Sequence, residues 1–207
     1  MKELSELGNI PVDFSVLESL FPNHKSVHNK ICEMEKSDKI IRLKKGLYVV
    51  SAKVSEKLLS MELIANHIYG PSYVSMESAL RYYGLIPESV FTTRSITTKH
   101  SRIFVNTLGK FEYLQCPKAY FSIGISQEIK GNTAFLIASP EKALCDLIAY
   151  TANLNLRSQK EIKTYLEEDL RLDMDAFKML NCGIFELCAE VGKKKNTLVK
   201  IIKLLKS

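Results

Sequence analysis

The stretch Lys36–Val50, KSDKIIRLKKGLYVV, places two apolar runs on either side of a basic turn. Ile40-Ile41 precede the turn, Leu47-Tyr48-Val49-Val50 follow it, and Lys44-Lys45-Gly46 lie between. Two strand-prone runs joined through a glycine, which supplies the positive φ of a tight turn, predict a β-hairpin. Arg42, Lys44 and Lys45 fall at or near its tip, where a phosphate backbone can meet them.

Upstream, Asp13 is placed to cap a helix over 14–21, with Val16, Leu17 and Leu20 on its inner side. Pro22-Asn23 breaks it, and Asn23 can cap a second helix over 24–36. There Val27, Ile31 and Met34 recur at helical spacing as one buried stripe. Lys25, Asn29, Glu33 and Lys36 point away from the stripe, and Ser26 and His28 flank it. Helix, turn, helix, hairpin is the order of a winged helix-turn-helix, whose second helix enters the major groove. Residues 1–52 are therefore expected to bind double-stranded DNA. Arg42, Lys44 and Lys45 would contact phosphates, and Lys25, Ser26, His28, Asn29 and Lys30 would lie along the base edges. Any surface helix exposes polar residues; the basic hairpin at the right distance is what gives this one weight.

Downstream, the polar stretch 51–60 reads as a connector to a second domain over 56–207. A helix over 60–69 stops at Gly70-Pro71, and Ser75 can cap another over 76–83 with Gly84 as its stop. From Phe91 to Ile137 the runs FTTRSITT, SRIFVNTLGKFEYLQC and AYFSIGI are β-branched and aromatic, and predict an antiparallel sheet of four or five strands. Ser139-Pro140-Glu141 opens a helix with a cap, an N1 proline and a first-turn acid. The remainder reads as helical, with a capping box at Ser158–Glu161. The expected fold is α+β: an N-terminal winged helix-turn-helix, then a mixed domain with an antiparallel sheet and a C-terminal helical part.

Composition narrows the classes. The 207 residues are 46% hydrophobic and 25% charged, with net charge +6, as in ordinary globular chains. No apolar run approaches the roughly 20 residues of a membrane span, and MKELSELGNIPVDF lacks a signal-peptide core. A cytoplasmic location without membrane contact is expected. The cysteines are five, an odd number without a CxxC pair, and read as reduced thiols. Residues 181–207 carry six lysines against two glutamates, a basic tail suited to nucleic acid, an acidic partner or plain solvation.

Chemistry-bearing motifs are few. His24 and His28 share the spacing of a metal pair, but HKSVH lacks the glutamate of HExxH and no third ligand is evident. Asp173-Met174-Asp175 could hold a divalent cation, yet Asp173 reads better as a helix cap. No catalytic residue, cofactor or metal site is expected, and the chain does not read as an enzyme.

Three further segments raise a family. They are Gly70–Leu80, GPSYVSMESAL; Tyr83–Glu88, YGLIPE; and Ala138–Leu147, ASPEKALCDL. In this order behind IRLKKGLYV they resemble the AbiE-type (AbiEi) antitoxin family of bacterial abortive-infection toxin–antitoxin systems, over about residues 10–152. The resemblance implies an antitoxin that represses its own operon at promoter inverted repeats. It also implies that the second domain neutralises a nucleotidyltransferase-type toxin without a stable complex. A monomer in solution, with two copies on DNA, is expected. Arg81, Glu88, Glu141, Lys142 and Asp146 are the polar residues of these segments best able to act on a partner. Lys142 and Asp146, four apart, could equally pair with each other. The alternative is a free-standing winged-helix regulator whose second domain senses a ligand or partner.

Overall fold

The computed structural model describes residues 2–87 and 91–206. It opens with α1 (Lys2–Glu6), β1 (Val12–Asp13), α2 (Phe14–Ser19), α3 (Val27–Lys36), β2 (Ile40–Lys44), β3 (Leu47–Val50) and the short α4 (Ala52–Ser55). A larger unit follows: α5 (Met61–Ile68), β4 (Ser72–Val74), α6 (Met76–Tyr82), β5 (Thr92–Thr97), β6 (Arg102–Asn106), β7 (Gly109–Gln115), α7 (Lys118–Phe121), β8 (Ile125–Lys130) and β9 (Thr133–Ala138). Then come α8 (Pro140–Tyr150), α9 (Gln159–Thr164), a π-helical turn at Tyr165–Asp169, α10 (Met174–Lys178), α11 (Cys182–Val191) and α12 (Lys195–Leu205). The fold is mixed α+β, and none of the described helices is long and apolar enough to cross a membrane.

Two sheets organise it. The first has order β1-β3-β2, all antiparallel. Its central strand β3 is buried throughout, and alternation sends its side chains to two different cores. Tyr48 and Val50 join Leu4, Leu17, Ile31, Met34 and Ile40 in a small core beneath α1, α2 and α3. Leu47 and Val49, with Leu43 of β2, enter the large core of the second unit. The hairpin is thus a wall shared by both units. Polar links reinforce it: Asn106 Nδ2 donates to the Leu43 carbonyl at 3.1 Å, and Lys44 Nζ to the Ile68 carbonyl at 2.6 Å.

The second sheet has six strands in the order β6-β7-β5-β4-β9-β8. It corrects the expectation of a wholly antiparallel sheet, because β4 runs parallel to β9 and β5 parallel to β7. The central β4 is three buried residues, Ser72–Val74, too short to stand out in the sequence. One face of the sheet packs on α5, where the Tyr113 hydroxyl donates to the Ala65 carbonyl at 2.6 Å. The other packs on α8, where the Tyr73 hydroxyl donates to Asp146.

Other local expectations shift as well. The aromatic run at 119–121 belongs to helix α7, with Pro117 at its N-cap position. Helix α3 starts at Val27 with Ser26 at the N-cap, because the His24 ring and the 21–26 turn occupy the preceding residues. Ser139 caps α8 as expected, accepting from the Lys142 N–H at 3.3 Å, with Pro140 in the first turn. Ser75 does not cap α6, because its hydroxyl has a buried carboxylate to bind instead.

Candidate functional site

Helix α3 presents its polar side because Ile31 and Met34 sink into the small core. Lys25 and Asn29 are exposed, and among the described residues their side chains make no hydrogen bond or ion pair. His28 is exposed beside Cys32 (Nε2 to Sγ 3.8 Å) and tilts against Phe14. Ser26 is half-buried at the N-cap position. Lys30 reaches Glu33 at 3.1 Å, and that hydrogen bond and charge hold the Glu33 carboxyl below the usual carboxylate range.

The basic hairpin departs from its expected use. Arg42 lies over the Tyr48 ring and pairs with Glu35 of α3 at 2.6 Å. Lys44 is half-buried and spent on the Ile68 carbonyl, between hairpin and second unit, so it does not stand free at the tip. Of these three cations, only Lys45 is exposed and makes no side-chain hydrogen bond or ion pair among the described residues. The turn itself is held down, for the Phe14 N–H donates to the Gly46 carbonyl at 2.9 Å. The three cations expected to meet phosphate together are therefore divided among three tasks.

In the second unit the structure separates the nominated residues. Lys142 and Asp146 are wholly buried and bond to each other, Nζ to Oδ1 at 3.0 Å, so neither reaches the surface to meet a partner. Asp146 Oδ2 accepts from the Ser75 hydroxyl at 2.6 Å and the Tyr73 hydroxyl at 3.1 Å. Lys142 Nζ donates to the Tyr120 carbonyl at 3.2 Å and sits 3.1 Å from the centre of the Tyr120 ring. Burial pushes the Asp146 carboxyl above its ordinary range, while Lys142 and Ser75 pull it back. Gly124, at φ +59°, passes so close that a Cβ there would lie 2.8 Å from the Lys142 Cβ. Sequence reasoning missed Tyr73, Ser75 and Tyr120; the first two share a parity in SYVS, which directs them to one side of the sheet.

Glu141 closes a helix junction, accepting from the Ser139 hydroxyl at 2.7 Å and from the Asn181 N–H at 3.1 Å. Arg81 is exposed at the rim of a cleft of about 310 Å³ lined also by Glu62, Ser78 and Tyr82. Glu88 lies outside the described residues. Asp173 caps α10, its Oδ1 accepting from the Asp175 and Ala176 N–H groups at 3.0 and 3.1 Å.

The basic tail serves the fold more than the surface. Lys194 donates to the carbonyls of Thr151 and Leu154 at 3.1 and 2.7 Å, and Lys200 to that of Arg157. Lys193 stacks on Tyr150, and Lys206 pairs with Glu186. All five cysteines are free, and Cys145 and Cys188 are both buried in the second core.

Compared with known proteins, the chain matches no family model and no curated protein.

Proposed function

We propose that this chain is a sequence-specific DNA-binding repressor that also acts as the antitoxin of a toxin–antitoxin pair. One observation carries the DNA reading. Helix, strand, helix, helix and hairpin follow in order, with sheet order β1-β3-β2, and the last helix of the set exposes Lys25, His28 and Asn29. That order supports the reading as a winged helix-turn-helix, in which α3 would enter the major groove. Asn29 suits an adenine edge, while Lys25 and Lys45 suit phosphates. The wing is short and docked on the second unit, so α3 supplies most of the contact.

The antitoxin part rests on the sequence resemblance. Its first segment contributes β4 and α6 and its third most of α8; α6 packs on α8, and Tyr73 of β4 bonds to Asp146 of α8. Fluorescence anisotropy against the DNA upstream of the coding sequence tests the first part. Asn29→Ala should abolish discrimination between that DNA and a scrambled duplex, while leaving non-specific binding in place. Equal binding of both duplexes by the unaltered protein would overturn the DNA reading. Co-expression with the adjacent gene tests the second part, since growth rescue is the expected result.

The cleft beside Arg81 favours one other reading, a regulator released from DNA by a small anionic ligand. A ligand-dependent fall in DNA affinity, without any toxicity of the adjacent gene, would select it.

A further inference from the structure

The two segments that meet where the hairpin joins the second unit carry cations and no acids. No Asp or Glu occurs between Asp38 and Glu56, nor between Glu88 and Glu112. Within those spans Arg42, Lys53 and Arg94 pair with carboxylates from beyond them. Lys44, Lys45, Lys99 and Arg102 make no ion pair among the described residues, and all but Lys44 are exposed.

The fold gathers these cations. Lys44 Nζ donates to the Ile68 carbonyl and Lys99 Nζ to that of Gly70, so two ammonium groups sit at the C-terminal end of α5. Lys99 also lies over the Tyr69 ring, 5.3 Å from its centre, and Arg102 over the Phe104 ring, at 5.2 Å. The two rings are 5.7 Å apart and form one floor beneath both cations. Asn106, on the same side of β6 as Arg102 and Phe104, donates to the Leu43 carbonyl of β2. Arg42 of β2 in turn pairs with Glu35 of α3. Strand β2 thus links α3 to the edge of the large sheet.

One cation suffices to offset the carbonyl end of a helix, and the half-buried Lys44 supplies it. Lys99 and Arg102 add like charge at the same place without a counter-charge. Lys99 keeps N–H donors beyond the one spent on Gly70, and Arg102 has spent none on a carboxylate. An anion brought from outside would stabilise such a cluster.

We infer that Lys99 and Arg102 form a second phosphate contact on duplex DNA, flanking the site assigned to α3. The inference rests on the DNA reading above and extends it to the second unit. Duplex DNA is favoured over other polyanions because β2 joins the cluster to the helix that exposes Lys25 and Asn29. Leu43, Leu47 and Val49, packed in the large core, hold that junction fixed.

Salt-dependent fluorescence anisotropy of the full chain tests it, with the upstream duplex, a scrambled duplex of equal length and a single-stranded RNA of the same sequence. Arg102→Gln and Lys99→Gln should each lower the slope of log affinity against log salt by about 1, and together by about 2. Both duplexes should weaken by the same factor, so that discrimination between them is kept. Arg102→Gln removes no hydrogen bond to the fold, so its melting midpoint should not move. A double variant with an unchanged slope, while Lys45→Ala lowers it, would overturn this inference and leave the DNA reading standing. Lost discrimination would overturn it too, since the pair would then be reading bases. A loss confined to the RNA would reassign the cluster and count against it equally. An unaltered protein that binds neither duplex would overturn both this inference and the reading beneath it.

Discussion

Two lysine–carboxylate pairs on helices look alike in the sequence. Lys30 and Glu33 lie three apart on α3, and Lys142 and Asp146 four apart on α8. Their lengths are nearly equal, 3.1 and 3.0 Å, but their side chains are 30% and 69% exposed in the first pair and 0% and 0% in the second. In the first, water solvates both ions whether or not they meet, so the pair is adjustable. In the second, each ion has lost its water, and the pair exists only because Tyr73, Ser75 and the Tyr120 carbonyl supply the remaining bonds. One helix leaves its charges in water; the other consumes them in its own core.

The largest effect is therefore expected at α8. Asp146→Asn leaves the Lys142 ammonium buried without a counter-charge, and should cost about 3–5 kcal/mol in urea unfolding. Lys142→Met strands the carboxylate and should cost a similar amount. Combining Lys142→Met with Asp146→Leu removes both ions and should recover most of that loss, because no buried charge is left unpaired. Additive losses in the double variant would mean that the two charges are not coupled, and that each is held by its other partners.

A smaller effect is expected where the hairpin meets the second unit. Lys44→Met keeps the side-chain stem but loses the bond to the Ile68 carbonyl, for a cost of about 1 kcal/mol. Because Lys44 is spent on the fold, the salt dependence of DNA binding should not change. Lys45→Ala should do the reverse, leaving stability intact and reducing the slope of log affinity against log salt by about 1. A flattened slope from Lys44→Met with none from Lys45→Ala would mean that the hairpin detaches from the second unit on DNA.

These contrasts also mark what the sequence discloses. Signals carried by neighbours along the chain were legible. The Lys45-Gly46 turn, the Ser139-Pro140 helix start and the Asp173 cap each depend on a few adjacent residues, and each is found. Features decided by distant partners were not. The placement of Ser72–Val74 at the centre of the sheet depends on β5 and β9, far along the chain. Ser75 has the local credentials of a cap, but its hydroxyl is turned to donate to a carboxylate 71 residues away. The spacing of Lys142 and Asp146 announced a possible pair; only the sheet packed against it makes the pair buried. Likewise Arg42, Lys44 and Lys45 are equal cations in the sequence, and Glu35, the Ile68 carbonyl and open water make them unequal.

The smallest expected effect on stability is at the exposed pair, and there it separates the fold from DNA binding most cleanly. Glu33→Gln preserves the shape of α3 and leaves Lys30 without a carboxylate. An exposed i,i+3 pair contributes little to the fold, so the melting midpoint should stay where it is. On DNA the change should be visible. Glu33 sits on the polar side of the helix assigned to the groove, where it repels phosphate and occupies Lys30. Its removal should tighten binding to all duplexes and steepen the salt slope, as one more cation is released to neutralise the backbone. If binding instead weakens on the specific duplex alone, Glu33 is accepting from a cytosine amino group and reads sequence itself. If affinity does not respond on either duplex, α3 lies away from the nucleic acid, and the assignment of the recognition helix fails with it.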